Sequence, residues 1–168
     1  MDRGRRVNTL SVEYVPIGLI TPYANNARMH RDDDISSIKS SIEQFGFNDP
    51  ICVWGERNII VEGHGRLEAA KELGLEILPI IHLDHLSDEE RKAYALAHNK
   101  TAELSSWDYY ALENEIRELN MYDMKSIGFR EEDTNIDGFD DLFRREKAEK
   151  EQKKQRIFCP HCNEWFEV

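Results

Sequence analysis

Short apolar runs alternate with turn-forming residues along the chain, the pattern of strands and helices in close succession. Val12 to Ile20 is apolar and β-branched but interrupted by Pro16 and Gly18, which predicts a short strand or edge segment. The loop TPYANNARMHRDDD follows, rich in turn-forming Asn and Pro. From Asp34 onward Ile35, Ile38, Ile42 and Phe45 recur at the spacing of one buried helical stripe. Asp32, Asp33 and Asp34 suit the positive end of that helix, and Gly46 suits its stop. Pro50 opens a strand, Ile51 to Trp54, and Gly55-Glu56-Arg57-Asn58 turns the chain into a second, Ile59 to Glu62.

Gly63-His64-Gly65-Arg66 then leads into a helix, LEAAKELG, with Gly74 as its stop, and Ile77 to Leu83 makes a third strand. Ser87 and Glu90 form a capping box for a helix reaching about Thr101. Ser106 caps a further helix whose apolar face is Trp107, Tyr110, Leu112, Ile116 and Leu119. Met124, Ile127 and Phe129 read as a closing cluster, Trp54 and Trp107 as packing residues, Cys52 as a buried apolar residue in its strand. His82 and His85 flank a strand end and read as edge residues, because their side chains do not converge for a metal. The expected fold is α+β, a small mixed sheet with packed helices over residues 12–102. A helical extension (103–130), a charged linker or solvated helix (131–156) and a Cys-x-x-Cys tail (157–168) complete the chain.

Length and composition narrow the functional classes. At 168 residues the chain holds one compact domain plus a tail, and 40% hydrophobic residues suffice for a core. The formal net charge of -11 argues against a surface coated for non-specific DNA binding. The charge is segregated, however. Residues 1–31 carry five basic and two acidic side chains and residues 144–156 seven and three, so an acidic body lies between two basic ends. No apolar run approaches the ~20 residues of a membrane span. The basic N-terminus lacks a secretory apolar stretch, and three cysteines make no disulfide framework, which together predict a cytoplasmic protein.

The candidate chemistry lies in Glu62-Gly63-His64-Gly65-Arg66, where a strand passes through glycines into a helix start. Helix N-termini present unpaired N–H groups and partial positive charge, which favour an anion. Gly63 and Gly65 let a phosphate approach the backbone, and Arg66 adds a bidentate cation. His64 can donate to the same anion, and Glu62 can hold Mg²⁺ through water. The alternative is a plain turn with a surface arginine.

The succession VPIGLITPYANNARMH, DDISSIKSSIEQFGFNDPICVW and IIVEGHGRLEAAKELGLEILPII resembles the N-terminal domain of ParB partition proteins over residues 12–102. That superfamily includes sulfiredoxin and the free-serine kinases. In ParB proteins the glycine turn reads Gly-Glu-Arg-Arg and wraps the triphosphate of CTP, whereas this chain keeps Gly63 and Arg66 with His64 and Gly65 between them. Sulfiredoxin has Gly-Cys-His-Arg, and His64 stands where its nucleophilic cysteine would be. The kinase version, Asp-Gly-His-Thr-Arg, is most similar to Glu62–Arg66. HNKTAELSSWDYYALENEIRELN resembles the stand-alone ParB-like proteins of phages and mobile elements, which often accompany DNA methyltransferases.

The resemblance implies a nucleoside triphosphate (CTP or ATP) with Mg²⁺, acting as a switch in a DNA-linked process, with DNA contacted through the basic ends. Glu62 and His64 are then the candidate catalytic residues, and Arg28, Gly63, His64, Gly65, Arg66 and Asn99 the candidate nucleotide-binding residues. Arg28 belongs to Asn25-Asn26-Ala27-Arg28, similar to the family's Asn-Pro-x-Arg, and its alternative is a loop cation in solvent. Asn99 lies in His98-Asn99-Lys100, with a plain helix-end residue as its alternative. A small-molecule kinase and a non-catalytic adaptor are the competing readings. No constellation of metal-binding carboxylates strongly supports a nuclease. In the tail, Cys159-Pro160-His161-Cys162 looks like one knuckle of a zinc ribbon. It supplies two ligands of four, or three if His161 turns inward; a second chain's knuckle, a partner or no source at all are the alternatives for the rest, and a homodimer is expected.

Overall fold

The computed structural model describes residues 9–119 and 121–130, together with the backbone of 156–159 and 164–167. Four strands form a mixed sheet: β1 (Val12–Pro16), β2 (Ile51–Trp54), β3 (Ile59–Glu62) and β4 (Ile77–His82), in the order β1-β4-β2-β3. β1 runs antiparallel to β4, β4 parallel to β2, and β2 antiparallel to β3. The edge position of β1 follows from Pro16, which cannot donate to a ladder, and a 3-10 turn over Ile17–Leu19 ends the run predicted to reach Ile20. The helices are α1 (Asp32–Phe45), α2 (His64–Glu72), α3 (Asp88–Glu103) and α4 (Tyr109–Glu118). Residues 156–159 (β5) and 164–167 (β6) pair as an antiparallel hairpin. The fold is α+β, as expected.

Among the described residues, 9–108 and 121–129 make one unit; 109–119, 130 and the hairpin belong to a second. In the first unit Ile51 and Val53 of β2, Ile60 of β3 and Leu78 and Ile80 of β4 are fully buried with Leu67 and Ala70 of α2. Strand alternation places Cys52 and Trp54 on the opposite face, where the Trp54 indole donates to the Leu86 carbonyl at 2.9 Å. α1 packs on α2, and α3 packs on β3.

Several expected boundaries move for local reasons. α1 starts at Asp32 rather than Asp34, because the Asp34 carboxylate reaches back to accept the Arg31 N–H at 3.0 Å. Its predicted stripe is unevenly covered: Ile35 is buried, while Phe45 is 46% exposed, with its ring centroid 5.5 Å from that of Tyr122. The capping box of Ser87 and Glu90 forms as expected. α4 begins three residues beyond the predicted cap at Ser106, which leaves Trp107 outside the helix and exposed, its ring 5.9 Å from that of Phe129. Among the described residues, no helix is long and apolar enough to cross a membrane.

A bulge in β3 positions the site. Val53 faces Ile60 and Cys52 faces Glu62, so Val61 is the extra residue on its strand. Without that extra residue Glu62 would fall on the core face with Ile60; with it, Glu62 joins Cys52 on the side toward α3.

Candidate functional site

β3 ends at Glu62, Gly63 turns the chain with φ +103°, and α2 begins at once on His64. His64, Gly65 and Arg66 are therefore the first turn of the helix rather than a loop before it. No side chain caps this helix, so its first amides keep the unpaired donors and the positive end of the helix dipole.

Glu62 and Arg66, four residues apart across the turn, form an ion pair at 3.1 Å between Oε1 and Nη2. The other Glu62 oxygen lies 3.2 Å from His98 Nε2 on α3 and accepts at 3.5 Å from the Tyr94 hydroxyl. Arg66 also donates through Nη1 to the Asp49 carboxylate, while its Nε is buried with no partner. The guanidinium lies back over the turn: a Cβ on Gly63 would meet Nη2 at 3.1 Å and Nε at 3.2 Å. At Gly65 the corresponding space is filled by Ile38 Cδ1 (2.9 Å) and the His30 ring (3.1 Å). The glycines thus admit the chain's own groups at close range, where the sequence led us to expect room for a ligand.

His64 Nε2 accepts the Tyr23 backbone N–H at 3.2 Å, which places its proton on Nδ1 and makes the ring neutral. Burial, and secondarily His30, pull its pKa below the ordinary 6.5. A histidine that binds its proton more weakly when folded contributes stability that is full above the unfolded value and lost as pH falls. We therefore expect wild-type Tm to drop on acidification from about pH 8 to about pH 5, and a His64→Gln variant, which keeps an acceptor without titrating, to drop less. Equal slopes would show that His64 does not titrate against folding. Cys52, expected to be a buried apolar residue, is half-buried, and burial with the Glu62 charge pushes its thiol up to about 11.

A cavity of about 180 Å³ opens over this turn. Gly63, His64, Gly65 and Arg66 form one wall, and Glu62, Arg28 and Asn99 also border it. The structure thus brings every candidate of the first unit to one space. Asn26 shapes the Arg28 loop by accepting the Arg28 N–H (3.2 Å) and donating to its carbonyl (2.8 Å). Arg28 Nη1 reaches Glu103 at 2.7 Å, and Asn99 turns its amide back to the Ala95 carbonyl at 2.8 Å. A second cavity of about 190 Å³ shares Asn26, Val61, His64 and Asn99 with the first and is otherwise more apolar, with Ile60, Ala95 and Leu96 in its wall.

Sequence reading missed several contributors. His30 and His98 border the first cavity, yet His30 lies in an irregular loop and His98 faces Glu62 only through the packing of α3 on β3. Arg91 is buried with its guanidinium 4.8 Å from the ring centroids of both Tyr23 and Trp54. It pins the loop that reaches His64. Its only sequence signal was a cation one turn inside a capped helix.

Among the described residues no group of three His, Cys, Asp or Glu side chains could hold a metal ion, and both Glu62 oxygens already have partners. The expected zinc pair is only partly visible: the backbone of Cys159 closes β5, and Cys162 lies outside the described residues.

A family model for the ParB N-terminal domain matches residues 1–100. The ParB-like nuclease domain-containing protein YnaK of Escherichia coli (strain K12) is 37% identical over 83 residues, 49% of this chain and 94% of that protein. Among solved structures, the C-terminally truncated chromosome-partitioning protein ParB from Caulobacter crescentus, complexed with CTP-γ-S, superposes with a TM-score of 0.56 at 21% identity. The match covers 64% of this chain and 61% of that one, so the chain spans about three fifths of that ParB's length. Sulfiredoxin from Arabidopsis thaliana gives a TM-score of 0.42 at 22% identity, over 51% of this chain and 97% of that one. With the family model extending across the sheet, the glycine turn and most of α3, this chain belongs to the ParB N-terminal domain family.

Proposed function

We propose that the protein binds a nucleoside triphosphate in the two adjoining cavities and serves as a nucleotide switch in a DNA-linked process. One observation carries this reading: Arg28, His64, Arg66 and the uncapped first turn of α2 border the same space. Two guanidiniums beside unpaired amides are the donor set that a polyphosphate requires. The neighbouring cavity, more apolar and sharing His64 and Asn99, suits the base and sugar. Family membership supports the reading, as does the CTP-γ-S bound by the Caulobacter protein.

Glu62 holds Arg66 in place, and its remaining oxygen is engaged by His98, so Mg²⁺ is expected to arrive with the phosphates. Neutral His64 accepts a backbone N–H through Nε2, which leaves Nδ1–H as its donor to an oxyanion. DNA contact is assigned to the basic segments 1–31 and 144–156, since the body between them is acidic.

The test is a titration of the full chain with CTP, ATP and ADP in the presence of Mg²⁺, with assays for released phosphate and for phosphoserine. Saturable binding of a triphosphate, with slow or no hydrolysis, is the expected result. Phosphoserine formation would reassign the protein as a small-molecule kinase. Absence of all binding would make it an adaptor that has kept the fold and lost the ligand.

A further inference from the structure

We propose that Asp49 and Glu103 are built-in competitors of the anion site: each holds one of the cavity's two guanidiniums, and phosphate oxygens bind by taking their place. The inference rests on the nucleotide reading above and specifies how that site is regulated.

Both cavity arginines are engaged by carboxylates of the chain. Arg28 meets Glu103 at 2.7 Å, and Arg66 meets Asp49 and Glu62. These three acids are not equivalent. The Glu62 side chain is 15% exposed, borders the cavity and has His98 as a second partner. It cannot leave its guanidinium without stranding a mostly buried charge. Asp49 and Glu103 are 66% and 47% exposed, and neither borders the cavity, so each can turn into water at little cost.

Glu103 has, moreover, a place to go. Lys100 lies 3.0 Å from its other oxygen, and Lys100 foremost, then Arg28, holds its carboxyl below the usual range. It stays charged at neutral pH with or without Arg28. A phosphate brings more charge and more acceptor oxygens to a guanidinium than an exposed carboxylate does. The exchange therefore runs toward phosphate while lowering apparent affinity by whatever the two carboxylates hold. Arg66 is poised for it, since its buried Nε has no acceptor.

Removing a competitor tightens binding. Asp49→Asn and Glu103→Gln should each lower the Kd for the preferred triphosphate by roughly 3- to 10-fold. Glu72→Gln changes net charge equally, but at a residue that pairs with Lys39 and does not border the cavity, and should leave Kd unchanged. Calorimetric titration of the full chain with CTP and with ATP, with and without Mg²⁺, reads all of these. Equal or weaker binding by D49N and E103Q, with wild type binding normally, overturns the inference and makes these acids organisers of the arginines. Weakening confined to Mg²⁺ overturns it as well, in favour of metal ligation, and an equal gain in E72Q reduces it to net charge. Failure of wild type and every variant to bind either nucleotide removes the nucleotide reading itself, a result distinct from the others.

Discussion

Replacing Arg66 with alanine is expected to raise the Kd for the proposed nucleotide by at least about 100-fold, because the variant loses the permanent cation seated at the start of α2. It also costs stability. Glu62, at 15% side-chain exposure, would keep His98 and Tyr94 as partners but lose its guanidinium, and a largely buried carboxylate robbed of its main counter-ion destabilises by about 1–3 kcal/mol. Calorimetry with CTP and ATP, alongside a thermal melt, separates the two effects. Arg66→Lys sharpens the test. A lysine supplies the charge but not the fork that spans Asp49 and Glu62, so stability should recover more than affinity does. Unchanged binding in Arg66→Ala would show that the anion site lies elsewhere.

Gly63→Ala is the second large effect, and it reaches the same guanidinium through the backbone. Gly63 has φ +103°, a conformation in which any L side chain is strained. The added methyl would sit 3.1–3.3 Å from Arg66 Nη2, Arg66 Nε and Ile51 Cγ1. The guanidinium can give way but Ile51, fully buried in the core, has little freedom. A loss of about 1–3 kcal/mol is expected from strain and crowding together, with nucleotide affinity falling because Arg66 is pushed off Glu62. Far-UV circular dichroism and Tm measure the first, and titration measures the second. A variant with wild-type Tm would mean that the turn relaxes to another conformation.

The prominence of the Glu62–Arg66 segment in the sequence has a physical basis. A strand run, two glycines and an arginine ahead of LEAAKELG leave few local solutions, and β3, a left-handed Gly63 and α2 are the solution found. The capping box at Ser87 was legible for the same reason, since both of its hydrogen bonds lie within four residues. Trp107 misled because a cap residue and an apolar periodicity do not say whether the first turn forms. Its ring instead meets Phe129.

What the order of residues determined by itself was local: the strands and helices, the turn chemistry of Gly63 and Gly74, and the grouping of a histidine and an arginine at a helix start. The tertiary structure decided which charges face one another. A single extra residue in β3, Val61, swings Glu62 from the core face to the side where His98 and Tyr94 wait on α3. Asp49 and Glu103 reach the two arginines from 17 and 75 residues away. Side-chain alternation and helical periodicity are short-range rules, whereas a carboxylate finds its guanidinium only after the sheet has set the distance between them.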